Sequence, residues 1–119
     1  MTHHEEILEN LIQELRRGSL VLFVLSQMDQ KQYGYSLLQN LTDKGMSIEP
    51  GTLYPLMRRL EKQGLLDSQW DTEAVRPRKY YILSADGVMV LEKMKAEWKQ
   101  LVQQMNSVLY EETMNDGVK

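Results

Sequence analysis

An apolar stripe in the last third of the chain constrains the fold most. From Val88 its positions are Leu91, Met94, Trp98, Leu101, Val102, Met105, Val108 and Leu109. Spacings of mostly three and four predict one helix with a seam close to coiled-coil periodicity. More than twenty residues of helix run about 30 Å or more. Such a helix overhangs any core that the preceding residues can build. The chain has 119 residues, which is the length of one domain. A chain of that size buries only about two thirds of its unfolded surface. The stripe therefore predicts a second copy, with Val88, Leu91, Leu101, Val102, Met105 and Leu109 in a homodimer interface.

The segments before the stripe divide at turn signals. Ile7, Leu8, Leu11, Ile12 and Leu15 predict a helix within residues 1–17, followed by a break at Gly18-Ser19 with Ser19 as N-cap. Leu20–Met28 is apolar nearly all round and predicts a buried helix. Asp29–Gln32 reads as a polar turn. Tyr33–Lys44 predicts a helix with Leu37, Leu38 and Leu41 turned inward, ended by Gly45. Pro50 opens another helix, because its missing N–H has no helical partner at the first position, and Gly64 closes it. Leu65–Asp71 and Arg78–Leu83 predict two strands, with Trp70 expected as a packing anchor under their connection. Ser84 is the expected N-cap of the last helix, with Asp86 at the positive end of its dipole.

Several function classes drop out. The absence of Cys excludes disulfides, thiolate zinc sites and cysteine nucleophiles. The longest apolar run, Leu20–Leu25, is too short to span a membrane. The start, with Glu5, Glu6 and Glu9, lacks the positive flank of a secretion signal, so a cytoplasmic location is expected. His3 and His4 are the only histidines, on a terminus expected to fray, with no third metal ligand. No phosphate-binding glycine loop and no nucleophile–base pair can be named. No enzyme and no cofactor are expected.

The net charge of -3 and pI near 5.4 argue against nucleic acid only when taken whole. Residues 15–83 hold ten Lys/Arg against seven Asp/Glu, and local fields matter more to a partner than the total. In the helix from Pro50, Leu53, Leu56, Met57 and Leu60 fall on one face at 100° per residue. Gly51, Pro55, Arg58, Arg59 and Lys62 fall opposite, with Thr52 and Tyr54 at the flanks. A recognition helix in the major groove needs this arrangement: small residues for close approach, donors for base edges and cations for phosphates. A solvated amphipathic helix can carry the same cations. Arg76, Arg78 and Lys79, on the hairpin beside that helix, add an independent signal, although charge also protects an edge strand from aggregation. Three helices followed by a two-stranded ribbon is the order of a winged helix-turn-helix. The expected fold is mainly α with a small β-hairpin. An N-terminal helix spans 1–17, the winged domain 18–83, and a dimerisation helix with a frayed tail 84–119.

Gly51-Thr52-Leu53-Tyr54-Pro55, Arg59-Leu60-Glu61-Lys62-Gln63-Gly64-Leu65-Leu66 and Arg76-Pro77-Arg78-Lys79-Tyr80-Tyr81-Ile82-Leu83-Ser84 with Gly87 resemble the PadR family of transcriptional regulators. Gly18-Ser19-Leu20, Val24-Leu25-Ser26 and Tyr33-Gly34-Tyr35 match its earlier segments. The resemblance covers roughly Arg16 to Leu109 and is closest to the short subfamily with a single C-terminal helix. It implies a homodimer joined by the last helix with support from the first, and repression at a palindromic promoter site. It also implies release by a phenolic or planar hydrophobic effector. Trp98 matches the place where family members stack such a ligand, with Met94 beside it. Val75 stands where the family's wing usually has glycine.

Together these readings assign base contacts to Thr52, Tyr54 and Arg58. They assign phosphate contacts to Arg59, Lys62, Arg76, Arg78, Lys79, Tyr33 and Tyr35. The rival is a dimerising winged-helix adaptor that binds protein and no DNA, which the acidic total charge favours.

Overall fold

The computed structural model describes residues 2–73 and 75–111. Helix α1, His3–Arg17, opens on a capping box. The Glu5 N–H donates to Thr2 Oγ1 at 3.1 Å, and the Thr2 N–H to Glu5 Oε2 at 3.3 Å. His3 and His4 therefore lie in an ordered first turn and not on a frayed end. Acids in the first turn and Arg16 and Arg17 in the last complement the helix dipole. None of its residues is buried.

Helix α2, Leu20–Ser26, follows directly. Ser19 does not cap it as expected. Its backbone is helical, not extended, and its hydroxyl turns back to donate to the Arg16 carbonyl at 2.8 Å. Leu20, Val24, Leu25 and Met28 enter the core. Strand β1, Gln32–Tyr33, occupies residues expected to be turn and helix start. Two residues are too few to show alternation, so the pattern could not reveal it. Helix α3, Gly34–Asp43, buries Leu37 and Leu41, with Leu38 half-buried. Helix α4 runs Pro50–Lys62 and buries Leu53, Leu56, Met57 and Leu60. Gly45 and Gly64 close α3 and α4 at φ of 89° and 83°. The amides of Met46 and Leu65 return to the carbonyls of Leu41 and Leu60, the Schellman closure that such a glycine permits.

Strands β2, Leu66–Asp71, and β3, Arg78–Leu83, form the expected hairpin, and β1 pairs on the other side of β3. The sheet is thus three-stranded, antiparallel, in the order β1-β3-β2. Leu66 pairs with Leu83, Ser68 with Tyr81 and Trp70 with Lys79. Leu66 and Tyr81 are buried on that face, whereas Trp70 is 61% exposed. The expected anchor role fails because Trp70 extends past Ser68, where β2 still bonds to α4 through Glu61.

Ser84 caps α5, Ala85–Asn106, by accepting from the Gly87 N–H at 2.9 Å, and its own hydroxyl donates to the Gly64 carbonyl at 2.6 Å. The start of α5 lies on the domain. Val90, Leu91 and Met94 pack against the core, so Leu91 serves the chain's own interior more than the expected interface stripe. From Lys95 to Tyr110 every residue is exposed. A five-residue π-turn, Ser107–Glu111, replaces α-helix at Val108 and Leu109, ending the expected 3–4 spacing. The tail expected to fray, 112–119, lies outside the described residues. The radius of gyration is 18.4 Å, against about 13.5 Å for a compact domain of this length.

Candidate nucleic-acid interface

Helix α4 presents two unlike faces, and the sequence dictates both. Its four apolar residues at helical spacing are buried. Gly51, Thr52, Pro55, Arg58, Arg59 and Lys62 are exposed, and Tyr54 is half-buried at the flank. Among the described residues no carboxylate lies within ion-pair distance of Arg58, Arg59, Lys62 or Arg76. Tyr54 lies over the start of α3. A Cβ on Gly34 would stand 2.8 Å from Tyr54 Cε1, so glycine is what lets the two helices approach here.

The hairpin side is organised by aromatic rings. Tyr33 and Tyr35 stack at 5.8 Å with planes 7° apart, and the Arg78 guanidinium lies 4.2 Å over Tyr33. Arg78 Nη1 also donates to the Tyr35 hydroxyl. The Tyr33 hydroxyl donates to Asp71 Oδ2 at 2.8 Å. That bond holds the Tyr33 phenol above its ordinary range and the Asp71 carboxyl below the usual carboxylate range. Lys79 reaches the other way, with Nζ 3.0 Å from Oε1 of Glu61 on α4. Ser68 donates to the second oxygen of Glu61. These contacts lower Glu61 and raise Lys79. Two of the cations expected to meet phosphate, Arg78 and Lys79, are thus engaged within the chain.

The hairpin tip carries Val75 and Arg76, both exposed. No non-glycine residue among those described has a positive φ, so valine replaces the usual wing glycine without backbone strain. The sequence reading missed three contributors. Glu61 is a single acid in a basic stretch and Asp71 one of three acids within 67–73, with no pattern to mark either for a contact. Arg17 shares a cavity with Thr52, Pro55 and Arg59. Its role depends on how α1 joins α2, which no local motif encodes.

Residues 21–93 match the family model described as the transcriptional regulator PadR-like family. The chain belongs to the PadR-like family of transcriptional regulators. A PadR family regulator from Eggerthella lenta is 47% identical, with 90% of this chain and 96% of that one covered and a TM-score of 0.85. A PadR-like transcription factor from Bacteroides fragilis is 31% identical over 83% of this chain and 98% of that one, with a TM-score of 0.69. A transcriptional regulator of Mycobacterium tuberculosis is 30% identical over 79% of this chain and 89% of its own. These relatives are regulators and not enzymes, and a winged helix is the fold they share with this chain.

In this PadR-like regulator, Trp98 and Met94 line one groove with Gly18, Ser19, Leu22 and Leu101, of about 460 Å³. That lies within the 300–1,000 Å³ usual for ligand sites. Val88, Trp98, Leu101, Val102 and Met105 are exposed on α5, Leu109 on the π-turn that follows it, and Ile7, Leu8, Leu11, Ile12 and Leu15 on α1. No helix among the described residues is long and apolar enough to cross a membrane.

Proposed function

We propose that this chain is a homodimeric, DNA-binding repressor that acts in the cytoplasm on a palindromic promoter site and is released by a small hydrophobic or phenolic effector. The observation that carries DNA binding is the exposed face of α4, where Arg58, Arg59 and Lys62 have no ion-pair partner among the described residues and stand beside Thr52 and small residues. Thr52, Tyr54 and Arg58 meet base edges. Arg59, Lys62 and the wing-tip Arg76 meet phosphates, with Arg17 beside Arg59 as a further phosphate ligand. Tyr33, Tyr35 and Arg78 brace the wing against the start of α3 and meet the backbone at their open edge.

Two exposed apolar helices support the dimer. Contiguous apolar surface of this kind marks an interaction site, and α1 and α5 each carry a stripe. Val88, Leu101, Val102, Met105 and Leu109 form the seam, with Leu91 contributing its outer edge. The effector binds at Trp98 and Met94 and shifts the separation of the two α4 helices. It acts only as far as it distinguishes the two separations.

The test is a salt titration of binding to the duplex upstream of the protein's own gene. A steep fall of affinity with salt, together with preference over random duplex, supports the repressor. Binding to no duplex at moderate salt moves the function to the adaptor reading, in which the dimer engages protein alone.

A further inference from the structure

The exposed face of α4 carries Arg58, Arg59 and Lys62. Half-buried Glu61 lies at the flank of that face, on the side of Tyr54, and its carboxylate is held at both oxygens, by Lys79 at 3.0 Å and by the Ser68 hydroxyl. We propose that Glu61 limits the sequence-independent part of DNA affinity, because its carboxylate occupies on Lys79 the place a phosphate would take. This inference rests on the DNA-binding reading and refines it.

Lys79 belongs to β3 and Glu61 to α4, so the ion pair bridges the two elements that would flank a DNA backbone. Both side chains are about 30% exposed, so a phosphate can approach the pair. It would meet no net charge there. Lys79 has further N–H donors, but a phosphate that takes one stands beside the Glu61 carboxylate, anion against anion. Lys79 is also held 5.2 Å over the Tyr81 ring, which fixes its ammonium on the Glu61 side. The same contacts that tie α4 to the wing thus also neutralise the Lys79 charge that would face a phosphate.

The size follows from counterion release. Each phosphate neutralised steepens the plot of log affinity against log salt by about 0.9, equivalent to about an eightfold gain at 0.1 M salt. Glu61→Gln keeps the size of the side chain and one oxygen that accepts from Lys79, turns the Ser68 contact round so that the amide donates to Oγ, and removes the charge that neutralises Lys79.

The experiment measures anisotropy of a random-sequence duplex across a salt series for the parent, Glu61→Gln, Lys79→Gln and the double variant. Glu61→Gln is expected to bind about eightfold tighter at 0.1 M salt for each protomer on the duplex, about sixtyfold for the dimer, with a slope steeper by about 0.9 per protomer. Lys79→Gln leaves the Glu61 carboxylate uncompensated and is expected to bind no tighter than the parent, and the double variant, neutral like the parental pair, to keep the parental slope. A flatter slope for the double variant than for the parent overturns the inference, since Lys79 would then already hold phosphate with Glu61 in place. An unchanged slope for folded Glu61→Gln overturns it as well. The double variant decides even where Glu61→Gln alone fails to fold. A parent that binds no duplex removes the DNA-binding reading, and the inference falls with it. A parent that binds while Glu61→Gln gains nothing removes the inference alone.

Discussion

Gly87, in the first turn of α5, lies so close to Leu65 that a Cβ there would overlap the Leu65 carbonyl oxygen and come within 2.9 Å of Leu83 Cδ2. The carbonyl belongs to the backbone that opens the wing, and it already accepts from the Ser84 N–H at 3.0 Å. It has no freedom to retreat. The start of the long helix is therefore seated on the root of the hairpin by backbone contact.

Gly87→Ala should destabilise the protein despite alanine's better helix propensity. Overpacking costs about 1–3 kcal/mol and sometimes more, against at most about 1 kcal/mol gained from propensity. A thermal melt at fixed protein concentration should fall by several degrees. An equal or higher midpoint would mean that α5 can lift off the wing root.

Stability should also depend on pH through the same wing. Glu61 is held below its ordinary range first by the Ser68 hydroxyl and then by Lys79, and Asp71 first by the Tyr33 hydroxyl. A carboxylate depressed in the folded state contributes stability above its unfolded pKa and loses it as pH falls through the folded value. Midpoints should drop as pH falls below the ordinary carboxylate range, and Glu61→Gln should drop less steeply. Tyr33 is raised, so its contribution is present below its unfolded value and lost as alkaline pH passes the folded one. Tyr33→Phe should flatten that alkaline limb. Parallel pH curves for parent and variants would show that these contacts do not survive in solution.

Much of this arrangement was legible in the sequence, and the gaps share a cause. The core face of α4, its basic face, the closures at Gly45 and Gly64 and the Ser84 cap all follow from patterns within one element. Strand β1 was not legible, because Gln32 and Tyr33 are defined only by pairing with Tyr81 and Tyr80, nearly fifty residues on. The burial of Trp70 was misjudged because where α4 stops covering the sheet is a property of two elements together. The engagement of Lys79 by Glu61 and of Arg78 by two tyrosines is also tertiary. Composition counts their charges but cannot say which remain open. Leu91 and Leu101 look alike in the stripe, yet one lies over the core and the other beyond it.

That difference makes the dimer testable. Leu101 is exposed and lies beyond the part of α5 that the domain covers. Leu101→Asp should leave the fold intact and break the dimer, since burying unpaired charges costs several kcal/mol. Sedimentation should then show a monomer with unchanged circular dichroism. Trp98 should report the same event. Under the proposed pairing of α5 with its copy the Trp98 indole would be buried, while Trp70 on the wing would stay in water. In a Trp70→Phe background the emission should lie further to the blue for the dimer than for the Leu101→Asp monomer, and planar aromatic compounds should quench it. A parent that sediments as a monomer at micromolar concentration removes both the dimer and the symmetric site.

Arg58 provides the sharpest test of what α4 does on DNA. It is exposed on the middle of the helix, free of ion pairs among the described residues, and follows Thr52 and Tyr54 along the face that would enter the groove. If its guanidinium makes a bidentate contact to a base, Arg58→Ala should cost about 1–3 kcal/mol at the cognate site. The loss on random duplex should be far smaller. Arg59→Ala should behave in the opposite way, weakening all duplexes alike and flattening the salt slope by about 0.9 per contact. In a two-fold symmetric dimer the Arg58 effect appears in both half-sites, with centres one helical turn, about 34 Å, or a multiple apart. Comparing the two variants on cognate and random duplexes separates reading from clamping. Should Arg58→Ala lower both duplexes by the same factor, Arg58 is a phosphate ligand. Base reading then passes to Thr52 and Tyr54 at the helix's N-terminal end, where Gly51 and Pro55 leave room for a base edge to approach.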